Sequence, residues 1–147
     1  MNKKLIITRV ILILAFVMYL ISLLMPYKIY QEVNPLAPQD TYRPYSGGPG
    51  YDTEYILFFI FFIPALVFGL VRHTITMKAL LLVFSVLLFG FVCFVYSEDF
   101  SPDYSRPHMG FFLFFISTVL FLAVAIYKIR IPVPNRKEKH LDLLDDF

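Results

Sequence analysis

The sequence predicts an all-α integral membrane protein, folded as a four-helix transmembrane bundle of two up-down helical hairpins. Hydrophobic residues make up 59% of its 147 residues, and the mean hydropathy is +0.70. Four apolar runs, at residues 5–25, 55–71, 79–96 and 109–127, are separated by polar segments. Each run is long and apolar enough to cross the hydrocarbon core of a bilayer, which is about 30 Å thick.

The first run follows a short basic segment and ends without the small residues of a signal-peptide cleavage site. It therefore predicts an uncleaved first span. Arg9 lies about one turn inside this run, and its long side chain is expected to extend to the lipid headgroups. Closely spaced prolines and glycines in the next segment, residues 26–54, predict a loop with at most one short extended stretch at 27–33.

The other three runs predict one helix each. Pro64 near the middle of the second run predicts a kink there, because proline removes a helical hydrogen bond. Residues 72–78 make a tight turn into the third run, and residues 97–108 form a second polar loop. Pro132 and Pro134 end the fourth helix, so that residues 1–131 form the bundle and 132–147 a charged tail.

The charge distribution predicts the orientation of the chain. Of the 13 Lys and Arg residues, only Lys28, Arg43 and Arg106 lie in the loops 26–54 and 97–108. Basic residues concentrate on the cytoplasmic side of membrane proteins. We therefore expect both termini in the cytoplasm, both loops outside, and the inner membrane of a bacterium as the location.

Two sequence patterns recur along the chain. Residues 58–63 read Phe-Phe-Ile-Phe-Phe-Ile and residues 111–116 read Phe-Phe-Leu-Phe-Phe-Ile, while an Asp-x-x-Arg-Pro pattern occurs at 40–44 and again at 103–107. These matches have two explanations. Either one hairpin was duplicated, or the similarity arose by chance in a chain with 17 phenylalanines.

Small residues recur at helical spacing along every predicted span. In lipid such positions are typical of helix–helix contacts, because they let two backbones approach closely. The single cysteine, Cys93, is expected to be one of these packing residues, since apolar burial disfavours a reactive thiolate. The four sets are Ala15 and Ser22; Ala65 and Gly69; Gly90, Cys93 and Ser97; and Gly110 and Ser117.

Several function classes are disfavoured by what the spans lack. Apart from Arg9, no ionisable residue falls inside a predicted span, whereas proton- and ion-coupled transporters require such groups. His73 and His108 belong to opposite ends of their spans, so one chain cannot offer two haem ligands at one depth. No P-loop, nucleophile elbow or zinc-ligand spacing occurs, and no basic stripe suggests a nucleic-acid partner. We expect no cofactor, no bound metal and no enzymatic activity.

Two polar segments are candidate interaction sites. The charged residues of the two loops are suited either to binding a cation or phosphate or to pairing with one another as solvated loop residues. The apolar residues of the tail fall at helical spacing and either dock on a partner or belong to a frayed end. The loop candidates are Asp40, Arg43, Glu98, Asp99, Asp103, Arg106 and His108, and the tail candidates are Leu143, Leu144 and Phe147.

These observations favour a small accessory, assembly or scaffold subunit of a larger membrane complex. Its expected partners are the lipid bilayer and other membrane subunits or further copies of itself. The alternative is a small oligomeric channel or transporter with a pathway between chains, and a membrane enzyme acting at the outer loops comes third. The layout resembles that of claudins and tetraspanins only in outline. Their loop cysteines and tryptophans are missing, so no family is assigned.

Overall fold

A computed structural model describes residues 3–31, 44–49, 54–71, 74–100 and 105–132. Most of these residues are helical, which confirms the all-α class. Helices α1, α3 and α4 are long and apolar enough to cross a membrane, and Tyr55–Leu70 forms a shorter apolar helix. The helices are α1 (Lys3–Leu23), α2 (Phe59–Leu70, preceded by a 3-10 turn at Glu54–Phe58), α3 (Ile75–Asp99) and α4 (Met109–Arg130).

The helices form a ring in which successive helices are neighbours. Helix α1 packs most extensively on α4, α2 packs on α3, and α3 packs on α4, while the contact between α1 and α2 is smaller. Aromatic rings fill the centre: Phe114 is fully buried, and the rings of Tyr19 and Phe62 stack with centroids 4.0 Å apart. Pro64 lies inside α2, as expected from the sequence.

A small antiparallel sheet covers one end of the bundle. Its strands are β1 (Lys28–Gln31), β2 (Pro44–Ser46) and β3 (Ser105–Pro107), in the order β2-β1-β3. Ile29 of β1 stands opposite both Ser46 and Arg106. Since β2 belongs to the first predicted loop and β3 to the second, the two loops meet here. We call this the sheet end, and the opposite end, with the first turn of α1 and the last turn of α4, the lysine end.

The third helix is longer than its apolar run, and the second polar segment is not wholly a loop. The Thr74 side chain accepts a hydrogen bond from the Met77 main-chain N–H, which caps α3 ahead of the apolar residues. At the other end the helix continues to Asp99, because helical hydrogen bonds do not require apolar side chains. Strand β1 lies within residues 27–33, where an extended stretch was predicted.

Small residues occupy helix contacts in three of the four helices. Ala15, Ser22, Ala65, Gly69, Gly110 and Ser117 are all buried. A Cβ atom on Gly110 would lie 2.8 Å from the main-chain oxygen of Pro26, and one on Gly69 would overlap the Leu12 side chain. A Cβ atom on Gly90 would meet nothing within 4 Å. The prediction of contact faces is therefore confirmed inside the chain for α1, α2 and α4, while α3 differs.

The two phenylalanine motifs occupy different environments. Phe58 and Phe111 are both buried, yet Phe62 is fully buried while its counterpart Phe115 is 36% exposed. The first motif begins in a 3-10 turn and the second lies wholly in α4, so the helical phase of the two motifs differs. The duplication of a hairpin stays a prediction.

Replacing Gly110 by Ala is expected to lower the free energy of unfolding by about 1–3 kcal/mol, because the added methyl group meets main-chain atoms that cannot yield. Gly90→Ala is the matched control and is expected to be neutral or to stabilise by up to about 1 kcal/mol, since alanine favours helix. Thermal unfolding in detergent, followed by circular dichroism, measures both. Equal melting temperatures for the two variants would contradict the close packing of α4 on residues 25–27.

Candidate functional site

The candidate site at the sheet end is organised around Asp99, the last residue of α3. Its Oδ2 atom accepts a hydrogen bond of 2.7 Å from the Tyr55 hydroxyl and forms a 2.9 Å ion pair with Lys28 Nζ. Its main-chain carbonyl accepts a hydrogen bond of 2.7 Å from Ser105 Oγ. Through these contacts Asp99 joins α3 to β1, to β3 and to the turn that precedes α2.

A layer of tyrosine side chains lies beneath this ion pair. The rings of Tyr27 and Tyr55 stack with centroids 3.9 Å apart, and the Tyr19 hydroxyl donates a 2.9 Å hydrogen bond to the Tyr55 carbonyl. Ser22 Oγ donates its one proton to the Tyr19 carbonyl, so the Tyr27 hydroxyl, 2.6 Å away, must donate to Ser22 Oγ. Burial raises the pKa of Tyr27 well above its ordinary value, and its phenol therefore stays protonated.

The other predicted loop residues take different positions. Glu98 and Arg106 are exposed. The main-chain N–H of His108 donates to the Tyr27 carbonyl at 2.9 Å, and its Nδ1 atom lies 3.3 Å from the Pro26 carbonyl oxygen. Asp40, Arg43 and Asp103 lie outside the described residues, as do the tail candidates Leu143, Leu144 and Phe147.

The contacts of Asp99 attach the strands of the sheet end to helix α3. One carboxylate oxygen already receives two donors, and the lysine cation balances the carboxylate charge. Across the ranges that the structure describes, no group of three His, Cys, Asp or Glu side chains is placed to hold a metal ion. Lys28 and Tyr55 were not predicted as partners of Asp99. The position of Lys28 depends on the pairing of β1 with β3, and that of Tyr55 on the packing of the turn before α2. The cluster holds the loops onto the helices.

A different polar arrangement occupies the lysine end. Lys78 and Lys128 are only 7% and 2% exposed. Lys78 Nζ donates to the Ile131 carbonyl and Lys128 Nζ to the Gly69 carbonyl. These carbonyls lie at the carboxyl ends of α4 and α2, where no following helical turn supplies N–H donors and where the helix dipole is negative. Sequence reasoning counted both lysines only as basic residues flanking the spans.

One surface of α3 is exposed although it carries small residues. Helix α3 buries Leu81, Ser85, Leu88 and Val92 against the bundle, whereas Gly90, Cys93 and Ser97 are exposed. Only 22% of its most apolar stretch is buried, against 44% for α4. Beside it lies a groove of about 290 Å³, lined by Cys93, Tyr96, Phe111, Phe112 and Phe115. We call Gly90, Cys93 and Ser97, together with this groove, the α3 face.

No protein-family model, curated protein or solved structure matches this chain.

A double-mutant cycle tests the attachment at Asp99. We expect Lys28→Met and Asp99→Asn each to lower the free energy of unfolding by about 1–2 kcal/mol, since each removes one member of a partly buried, hydrogen-bonded ion pair. The double variant should show a coupling energy of about 1 kcal/mol, obtained from denaturant unfolding in detergent.

Glu98→Gln is the control for this cycle, because Glu98 is the exposed neighbour of Asp99 and its replacement should change stability by less than about 0.5 kcal/mol. Strictly additive effects of Lys28→Met and Asp99→Asn would show that the ion pair contributes nothing to the fold.

Proposed function

We propose that this chain is a four-span integral membrane protein that acts as a non-enzymatic accessory, assembly or scaffold subunit of a larger membrane complex. One observation carries the proposal: α3 presents the small residues Gly90, Cys93 and Ser97 of its predicted contact face on its exposed side. The corresponding small residues of the other helices are buried inside the chain, namely Ala15, Ser22, Ala65, Gly69, Gly110 and Ser117. In lipid, small residues favour association when a second helix approaches them. The α3 face is the proposed contact surface.

The exposed apolar side chains support a membrane setting. Val10, Ile60 and Phe94 are 58%, 66% and 60% exposed, and similar side chains cover the outside of all four helices. This apolar surface is far larger than the apolar patches that soluble monomers expose to water, which rarely exceed a few hundred Å². Contact of apolar side chains with water costs free energy, whereas their contact with hydrocarbon does not.

The second helix, with the 3-10 turn before it, is long enough to be a membrane span in addition to α1, α3 and α4. The 3-10 turn Glu54–Phe58 rises about 2.0 Å per residue and α2 (Phe59–Leu70) about 1.5 Å per residue, together about 28 Å. This length is close to the hydrocarbon thickness of about 30 Å. The Lys128 ammonium group then satisfies the Gly69 carbonyl at the end of the helix.

The buried hydroxyl groups favour a contact role over conduction through a single chain. The buried tyrosine hydroxyls donate to Tyr55, Ser22 and Asp99. Each buried serine and threonine hydroxyl of the described helices instead donates to a main-chain carbonyl one turn earlier in its own helix, so none of these donors is left to line a hydrated path. These groups are Thr8, Ser22, Ser85, Ser117 and Thr118.

The single cysteine allows a direct test in native membranes. A benzophenone maleimide attached to Cys93 is expected to cross-link to a different membrane protein, which mass spectrometry would identify. Gly90→Leu should reduce this adduct at least about tenfold, because it adds a side chain to the contact face at a position where a Cβ atom meets nothing within 4 Å. Val17→Leu, at an exposed position on α1, is the control and should leave the adduct unchanged.

The identity of the cross-linked product decides between the candidate functions. A second copy of this chain as the sole protein product would favour the alternative, an oligomeric channel or transporter with its pathway between chains. Cross-links to lipid alone, equal in all variants, would contradict an α3 contact altogether.

The orientation has its own test. Among the described residues, the acidic ones, Glu54, Glu98 and Asp99, lie at the sheet end, and six basic ones lie at the lysine end. By the positive-inside rule the lysine end is cytoplasmic. In a Cys93→Ser background, a membrane-impermeant maleimide should label Gly48→Cys and Arg106→Cys in intact cells, but label Lys3→Cys only after permeabilisation. Labelling of Gly48→Cys and Arg106→Cys on opposite sides would overturn the four-span arrangement.

A further inference from the structure

We propose that a groove between α1 and α4 at the lysine end binds an anionic phospholipid, with an acyl chain in the groove and the phosphate at Lys4 and Arg130. This inference rests on the proposed membrane setting but not on the α3 contact. The groove has a volume of about 400 Å³. That size falls within the range of about 300–1,000 Å³ typical of small-molecule sites.

The walls of the groove are two helix faces. On α1 the lining residues are Ile7, Thr8 and Ile11, and on α4 they include Leu120, Ala123 and Tyr127. Ile11 follows Ile7 and Thr8 by four and three positions, and on α4 the steps are likewise three and four, so each set forms one continuous face. The Thr8 hydroxyl donates to the Leu5 carbonyl of its own helix at 2.9 Å. Since the one hydroxyl of the α1 wall is engaged in this way, the lining is suited to a hydrocarbon chain.

Basic residues continue both faces toward the lysine end. Lys4 precedes Ile7 and Thr8 by three and four positions, which places it one turn farther along the same face of α1. Arg130 follows Tyr127 by three positions at the end of α4. Both basic side chains are exposed. The apolar groove therefore ends between a lysine and an arginine, and the planar guanidinium of the arginine suits two phosphate oxygens.

The charge at this end selects for an anionic headgroup. Lys3, Lys4, Arg9, Lys78, Lys128 and Arg130 lie here, and every acidic residue within the described ranges lies at the sheet end. Lys78 and Lys128 are buried and hydrogen-bonded to carbonyls, so they contribute positive potential without a neutralising carboxylate among the described residues. A zwitterionic headgroup would place its own cation in this field, whereas a phosphatidylglycerol headgroup carries only the negative charge.

The absence of tryptophan from the chain provides a clean reporter. Tyr127→Trp places one fluorophore in the groove, and Ile6→Trp places one beside Ile7 but outside the lining. Each full-length variant is reconstituted in vesicles of phosphatidylcholine with a minor fraction of dibrominated phosphatidylglycerol or dibrominated phosphatidylcholine. Brominated phosphatidylglycerol should quench Tyr127→Trp more strongly than brominated phosphatidylcholine does, and both should quench Ile6→Trp equally.

Charge variants in the Tyr127→Trp background locate the headgroup. Lys4→Gln and Arg130→Gln should each reduce the relative affinity for phosphatidylglycerol about fivefold. Lys4→Arg combined with Arg130→Lys should retain it, and so should Lys3→Gln, which lies about 100° away on α1. All these side chains are exposed, so the substitutions leave the buried core unchanged.

Three outcomes would overturn the site. The first is equal quenching of Tyr127→Trp by both lipids. The second is an equal loss of the preference for phosphatidylglycerol in the Lys3→Gln and Lys4→Gln variants, which would indicate general attraction of the lipid to the basic surface. The third, no quenching of either reporter by any brominated lipid, would overturn the membrane setting as well. Quenching of Ile6→Trp by both lipids together with an absent preference at Tyr127→Trp would leave the membrane setting standing and remove the lipid site alone.

Discussion

The main-chain carbonyl is the common acceptor for the buried serine, threonine and lysine side chains of this bundle. Eight polar or charged residues are buried in the described part of the chain, and each donates a hydrogen bond to a carbonyl oxygen. An unpaired donor in an apolar interior costs several kcal/mol, so this pairing is a condition for such a core to form. The donors are Thr8, Ser22, Lys78, Ser85, Ser105, Ser117, Thr118 and Lys128.

These hydrogen bonds are of two kinds. The five serine and threonine hydroxyls of the helices donate within their own helix, so that the helix surface presents no unpaired hydroxyl proton there. Lys78 and Lys128 instead donate to carbonyls distant in sequence, at the ends of α4 and α2, and Ser105 donates to the carbonyl of nearby Asp99 at the end of α3. These three donors lie at the two ends of the bundle, while the interior between them is aromatic and aliphatic. Recognition by other molecules is therefore left to the outer surface and the ends.

The helices and their order were predictable from the sequence because apolar run length is a local property. Helix α3 is longer than its apolar run at both ends, because Thr74 caps its start and helical hydrogen bonding continues through residues 97–99. Hydropathy alone detects neither of these features. The contact of Lys28 with Asp99 was not predictable, since it depends on the antiparallel pairing of β1 with β3 across about 75 residues of chain. The sequence identified Asp99 as a candidate but could not identify its partner. For Asp40, Arg43, Asp103 and the tail, the sequence predictions stand untested.

The width of the buried stripe explains why α3 differs from α4. In α3 the buried residues are Lys78, Leu81, Ser85, Leu88 and Val92, a narrow seam with alternating steps of three and four. In α4 adjacent pairs are buried, such as Gly110 with Phe111 and Ser117 with Thr118, so its buried stripe is wider.

A narrow seam leaves most of the circumference of α3 outside the bundle. Gly90, on that outer surface, lowers helix propensity by about 1 kcal/mol relative to alanine, and a Cβ atom there would meet nothing within 4 Å. Glycine at such a position becomes favourable only when another backbone comes close. Within the described residues no other backbone comes close to Gly90, which is the physical basis for proposing that α3 contacts another molecule.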